Sequence, residues 1–188
     1  EDVTSISKVL STNATRLMRL IQQVLEFRKV ESGNLKLSVS EGNITNLVKS
    51  CVEAFSPLIS GKSQRLSFTS SSERIEGWFD SDKLDKIVYN LLSNASKYTP
   101  SGGDISVRLS VSEDGMLILE VANTGELMSE KTIKGLFKRF YEGDYRKHNT
   151  IGTGIGLSLV KDLVSLHKGS ISVTSTEETG NLFTVRMP

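Results

Sequence analysis

The stretch DKLDKIVYNLLSNASKYTP, residues 82–100, decides how the rest of the chain is read. Leu84, Ile87, Val88, Leu91, Leu92 and Ala95 recur at helical spacing, so the segment is a helix with one apolar face. At about 100° per residue, Lys86, Asn90, Asn94 and Lys97 form a second stripe, well away from the apolar one. Two carboxamides and two ammonium groups in line above a buried face suit anionic oxygens and a metal ion. Taken alone, the same stripe reads as an ordinary solvated face, and the choice depends on the rest of the chain.

Composition sets the outer bounds. The chain has 188 residues, 37% hydrophobic and 24% charged, which suits one packed domain with an appendage. A net charge of +1, with no aromatic-interleaved basic groove, argues against nucleic acid as a partner. The single cysteine, Cys51, lies in an apolar-periodic segment and reads as a buried structural thiol; nothing marks an oxidising compartment. No run of about 18 apolar residues and no signal peptide is present, so no membrane contact is expected from these residues. The chain starts in mid-pattern at Glu1, which suggests a piece of a larger protein.

Upstream, Ile6, Leu10, Asn13, Leu17, Leu20, Val24 and Phe27 alternate spacings of four and three. That is a heptad-like stripe on a helix of about 28 residues. Ile21 and Leu25 widen it beyond a two-helix seam, toward a bundle. Asn13 either sets register or sits at a wet bundle end. Glu31, Ser32, Gly33 and Asn34 end the helix. The chain therefore divides into residues 1–34, a helix and linker, and residues 35–188, a compact domain.

Within that domain Leu35, Leu37 and Val39 alternate with polar residues and read as a strand. Asn43 or Thr45 caps a helix through Leu47, Val48, Cys51, Val52, Phe55 and Ile59. Leu66 and Phe68 begin another strand, and Trp78 reads as core. Ile105, Val107, Leu109 and Val111 pair with Leu117, Leu119 and Val121 across a turn at Glu113, Asp114 and Gly115. A second pair spans 170–175 and 182–187. The expected architecture is an α/β sandwich: a mixed, mostly antiparallel sheet covered on one face by helices, preceded by a long amphipathic helix.

Two glycine segments interrupt the scaffold. Asn123-Thr124-Gly125 follows a strand, where backbone can approach a ligand closely. Gly152-Thr153-Gly154-Ile155-Gly156-Leu157 opens a helix containing Leu159, Val160, Leu163 and Val164, and so offers backbone N–H groups and a positive helix end to phosphates. The glycine spacing and the loop-like residues 140–150 before it do not fit the dinucleotide fingerprint. No lysine follows Gly156, so the P-loop pattern fails as well.

Four signals in order carry a specific resemblance: Asn90-Leu-Leu-Ser-Asn94-Ala-Ser-Lys97-Tyr98-Thr-Pro, Asn123-Thr-Gly125, Leu136-Phe137-Lys-Arg139-Phe140-Tyr141 and Gly152-Thr-Gly154-Ile-Gly156-Leu157. They resemble the N, G1, F and G2 boxes of the ATP-binding catalytic domain of sensor histidine kinases, in the Bergerat ATPase superfamily. The likeness covers about residues 35–188. The opening helix, with Leu25-Glu26-Phe27-Arg28-Lys29 at its exit, resembles the second helix of the dimerisation and phosphoacceptor hairpin. The flavour is that of a bacterial hybrid two-component sensor.

The resemblance implies ATP and Mg²⁺ as cofactors. Asn94 would ligate the metal and Asn90 would help hold it with its water. Lys97 would meet the phosphates, so Asn90 and Lys97 become the candidate catalytic pair. Tyr98 would lie near the adenosine or serve as a core-edge residue. Asn123 would accept the adenine amino hydrogen and Gly125 would let the backbone turn beside the base. Gly152, Gly154, Gly156 and Leu157 would form the lid and its helix, with Arg139, Arg146 and Lys147 as candidates for charge neutralisation. Transfer of the γ-phosphoryl group would go to a histidine on a helix absent from this sequence, and then to a receiver aspartate. The implied partners are a second copy of the chain in the full-length protein and a response-regulator receiver domain. The implied setting is the cytoplasmic part of a membrane-anchored bacterial sensor. His148 and His167 lack the acidic neighbour of a phosphoacceptor and read as surface or capping residues; residues 1–188 alone are expected not to autophosphorylate.

The sequence also departs from that pattern. Asn123 stands where the family has aspartate, and Leu127 where it has a second glycine. A neutral acceptor gives a weaker hydrogen bond than a carboxylate. A degenerate nucleotide-binding or inert domain acting as a connector is thus the alternative. A conformational ATPase of the same superfamily fits less well: it uses glutamate as general base at the position of Asn90, and asparagine cannot take that proton.

Overall fold

The computed structural model describes residues 2–33, 35–141 and 154–188. Helix α1 spans Asp2–Glu31. It is followed by β1 (Ser40–Asn43), α2 (Ile44–Ser60), β2 (Arg65–Ser70), β3 (Glu76–Phe79), α3 (Ser81–Tyr98), β4 (Asp104–Val111) and β5 (Leu117–Asn123). Then come α4 (Glu130–Gly135), α5 (Gly156–Leu166), β6 (Ser170–Thr176) and β7 (Gly180–Met187). Five strands form one sheet in the order β2-β4-β5-β7-β6, with β2 parallel to β4 and the other neighbours antiparallel. A parallel pair needs a crossover, and α3 lies in the one that joins β2 to β4.

Alternation along the strands makes one face of the sheet apolar. Ile105, Val107, Leu109, Leu119, Val121, Phe183 and Val185 are buried in one core with Val48, Val52 and Ile59 of α2, Ile87, Val88 and Leu91 of α3, and Val160 and Leu163 of α5. Phe55 and Tyr89 pack at 5.0 Å between ring centroids, joining α2 to α3. The expected mixed, mostly antiparallel α/β sandwich is the observed architecture, and both expected hairpins form.

The ends of α3 are fixed by side chains. Asp80 caps its start: Oδ1 accepts from the Lys83 amide at 3.1 Å and Oδ2 from the Ser38 amide at 2.7 Å. At its other end Gln64 Nε2 donates to the Ser96 and Thr99 carbonyls at 3.0 and 2.5 Å, and Lys62 Nζ donates to the Ser96 carbonyl at 3.1 Å. These bonds satisfy carbonyls that a helix end otherwise leaves open. Burial pushes the Lys62 ammonium down. The turn carrying Lys97 and Tyr98 is thereby held in place.

Three expectations are settled or corrected. The cap of α2 is Asn43, whose side chain accepts from the Asn46 amide; Thr45 instead donates to the Ser72 carbonyl. Residues 35–39 are not a strand, because pairing with β3 begins only at Ser40 opposite Phe79. Trp78 is not core but 69% exposed. It neighbours Phe79 on a four-residue strand, successive side chains point to opposite faces, and Phe79 takes the inward one.

Candidate functional site

Three segments distant in the chain meet along α3. The loop after β5 lies on its C-terminal end: a Cβ on Gly125 would sit 2.6 Å from the Tyr98 carbonyl oxygen and 3.3 Å from Asn123 Nδ2. The first turn of α5 lies on its middle: a Cβ on Gly156 would sit 2.9 Å from Asn90 Oδ1. Gly154 has φ of +64°, and its carbonyl accepts from the Phe140 amide at 3.0 Å, which ties the residue before Tyr141 to the approach of α5. Leu157 is half-buried against the core. Gly152, Arg146, Lys147 and His148 lie outside the described residues.

The stripe on α3 is divided. Asn90 is buried rather than open. Its Oδ1 accepts from Gln23 Nε2 of α1 at 2.9 Å and its Nδ2 donates to the Lys86 carbonyl at 2.7 Å. Lys86 Nζ donates to Glu26 Oε1 of α1 at 3.0 Å and to Asp82 Oδ2 at 2.8 Å. Burial pulls the Lys86 ammonium down, but the bonds to Asp82 and Glu26 outweigh it and the net shift is upward. The Lys86 bond likewise holds the Asp82 carboxyl below the usual carboxylate range. The four residues of the stripe thus have different surroundings: α1 covers its first half.

The second half is open. Asn94 is partly exposed and makes no side-chain hydrogen bond to another described residue. Lys97 has no carboxylate partner among the described residues, and its Nζ lies 4.8 Å from the centroid of the Tyr98 ring. A carboxamide oxygen and an ammonium, one turn apart and neither engaged by a charged or hydrogen-bonding side chain among the described residues, can hold a hard cation and anionic oxygens respectively.

At the other end, Asn123 closes β5 with only 4% of its surface exposed. Nδ2 donates to the Thr124 carbonyl at 3.1 Å, and Oδ1 has no partner among the described residues. The Asn123 side chain lies next to Gly125, whose added Cβ would be 3.3 Å from Nδ2. Arg139 stands elsewhere: its guanidinium is 3.9 Å from Asp162 of α5. Burial raises the Asp162 carboxyl, partly offset by Arg139 and Lys161. His167 is the C-cap of α5, with Nδ1 2.8 Å from the Leu163 carbonyl oxygen, a capping role as expected.

Sequence reasoning missed Gln23, Glu26, Ser175 and Asn181. Gln23 and Glu26 are three apart on α1, as Lys86 and Asn90 are four apart on α3, so each pair shares a helix face. Nothing local reveals that the two faces meet. Asn181 did leave a signal: it is a polar residue in phase with inward-facing Phe183, Val185 and Met187.

Residues 79–188 match the family model for histidine kinase-, DNA gyrase B- and HSP90-like ATPases. Histidine kinase P4 of Formosa agariphila is 33% identical over 184 residues, covering 96% of this chain and 13% of that protein. The structure of full-length ShkA in complex with AMPPNP is similar with a TM-score of 0.81 at 25% identity, over 92% of this chain and 36% of that one. Histidine kinase ThkA in complex with response regulator protein TrrA gives 0.74 at 20% identity, over 96% of this chain and 49% of that one, a likeness of fold. The chain thus spans about an eighth of the first of these relatives and less than half of either kinase structure.

Proposed function

The chain belongs to the family of histidine kinase-, DNA gyrase B- and HSP90-like ATPases, and from that premise we propose that residues 35–188 bind Mg²⁺·ATP as the catalytic part of a sensor histidine kinase. The observation that supports this most is that α3 carries Asn94, without a side-chain hydrogen bond among the described residues, and Lys97, without a carboxylate partner among them, while the loop of Asn123 and Gly125 lies on the C-terminal end of the same helix. Asn94 is the metal ligand in this reading, with Asn90 beside it. Bound Mg²⁺ would neutralise charge on the transferred phosphoryl group.

The chain's own residues bind and orient. Lys97 holds phosphate oxygens, Tyr98 flanks the nucleoside, and Asn123 Oδ1 accepts from the adenine amine. The approach to α5 through Gly154 and Gly156 brings backbone close to the phosphates, with Leu157 anchoring that turn; Gly152 of the same motif lies outside the described residues, and Arg139 faces Asp162 of α5. Asn123 is neutral, so its bond to the base is worth roughly 0.5–1.5 kcal/mol rather than the 1.5–3 of a charged one. The acceptor of the γ-phosphoryl group is a histidine on a hairpin helix that pairs with α1, and a receiver aspartate takes it next. In the full-length protein the hairpins of two copies meet through the α1 stripe as a four-helix dimer, and a membrane anchor elsewhere in the protein sets its location. No described helix is itself long and apolar enough to cross a membrane.

The second reading is a nucleotide-binding connector without transfer. It is favoured by one observation, the Asn90 oxygen already bonded to Gln23. Titration calorimetry with ATP and Mg²⁺ tests the common ground. Saturable heat that falls at least tenfold in affinity in Asn94→Ala is expected; no saturable heat at millimolar nucleotide would reject both ATP readings.

A further inference from the structure

The rim loop 124–128 carries Leu127, and the two backbone groups that flank this leucine bond to one pair of side chains. Asn181 Nδ2 donates to the Glu126 carbonyl at 3.1 Å. The Met128 amide donates to Ser175 Oγ at 2.8 Å. The Ser175 hydroxyl in turn donates to Asn181 Oδ1 at 2.6 Å. A chain of hydrogen bonds thus runs from Met128 through Ser175 and Asn181 back to Glu126.

Asn181 is 4% exposed and stands opposite Asn123 in the pairing of β5 with β7. Both face the helix-covered side, in phase with Val121 and Phe183. An asparagine there costs desolvation unless its amide is bonded, and an aliphatic residue would fill the place more cheaply. Its bonds go to the rim loop and to the hydroxyl that also takes a rim amide. Its Nδ2 is also 3.6 Å from where a Gly125 Cβ would lie. The orientation of Asn123 depends on the same loop, because Asn123 Nδ2 donates to the Thr124 carbonyl.

We infer that Asn181 and Ser175 are positioning residues that set base preference at the nucleotide site proposed above. They hold loop 124–128 so that the Asn123 amide stays on Thr124 and its oxygen stays free for an adenine amino group. Side-chain bonds on either side of Leu127 supply the fixed shape that a glycine turn would supply otherwise. The inference rests on the ATP-binding reading.

Titration of the full chain with Mg²⁺·ATP and Mg²⁺·GTP, for wild type, Asn181→Ala, Ser175→Ala and the double variant, tests it. Loss of one buried, bonded amide should weaken ATP about tenfold and shrink the ATP-over-GTP ratio; Ser175→Ala should shift both about threefold in the same direction. The double variant should be no worse than Asn181→Ala, since the two side chains act as one unit. A purely structural role would lower the melting temperature and weaken both nucleotides equally, and an unchanged ATP-over-GTP ratio overturns the inference. If Asn181→Ala does not fold, the ratio in Ser175→Ala decides by the same criterion. Wild type that binds neither nucleotide overturns the ATP-binding reading and this inference with it; wild-type binding with an unchanged ratio in the variants overturns this inference alone.

Discussion

Helices α1 and α3 carry the same kind of apolar repeat and meet opposite fates. On α3, Leu84, Ile87, Val88, Leu91 and Leu92 are at most 1% exposed. On α1, Ile6, Leu10 and Leu17 are 56%, 63% and 58% exposed. One helix finds a sheet, α2 and α5 to cover it. The other touches the sandwich near its C-terminal end, through Gln23, Glu26 and the half-buried Val30. Periodicity says that a face needs cover. It does not say whether the cover lies in the same chain, and an uncovered row of this length marks an interaction surface.

The widest separation between the two helices should appear on truncating one leucine from each. Leu91→Ala leaves a cavity in a packed core and should cost about 2–5 kcal/mol in urea unfolding. Leu17→Ala should stay within about 0.5 kcal/mol, because Leu17 is 58% exposed. Equal losses would break the comparison. A smaller effect should come from the contact between the helices. Gln23→Ala removes one hydrogen bond, worth about 1 kcal/mol, and should speed amide exchange in the last turns of α1 while leaving β4 and β5 protected. Unchanged exchange in α1 would mean that the helix docks by other means.

The smallest effect at neutral pH concerns α2, which packs against α3 in the same core. Burial, then the bond from Cys51 Sγ to Asp85 Oδ1 at 3.0 Å, pushes the Cys51 thiol from 9.0 up to about 12. The native state therefore favours the protonated thiol more than the unfolded chain does. The resulting stability is complete below about pH 9, the unfolded value, and is lost as pH rises toward 12. Melting of Cys51→Ala across that window should fall less steeply than wild type; parallel curves would show that the thiol is not responsible.

The sandwich was legible where periodic runs were long. Residues 82–98 read as a helix because its apolar face repeats over several turns, and the β4–β5 hairpin read as such because alternation flanks a turn with Gly115, which the structure shows at φ of +79°. Short elements were not legible. Strand β3 has four residues, too few to tell whether Trp78 or Phe79 faces inward, and the pairing that decides it lies with β1, more than thirty residues upstream. The candidate site divides in the same way. Asn94, Lys97, Asn123 and the glycines were marked by local motifs. The bond from Gln23 to Asn90 joins residues 67 apart, and the Asn181–Ser175 pair acts on a loop some fifty residues earlier. Such contacts follow from tertiary packing, which no local window contains.

The bond between Gln23 and Asn90 places one oxygen under two claims. Any ligand that binds better when Gln23 lets go must, by reciprocity, loosen Gln23 by the same factor when it binds. With the Glu26–Lys86 bond beside it, the contact is worth about 1–3 kcal/mol, or about five- to 150-fold in an equilibrium constant. Displacing α1 and changing a ligand's concentration would then be two entries into the same equilibrium, exchangeable at a single amide oxygen.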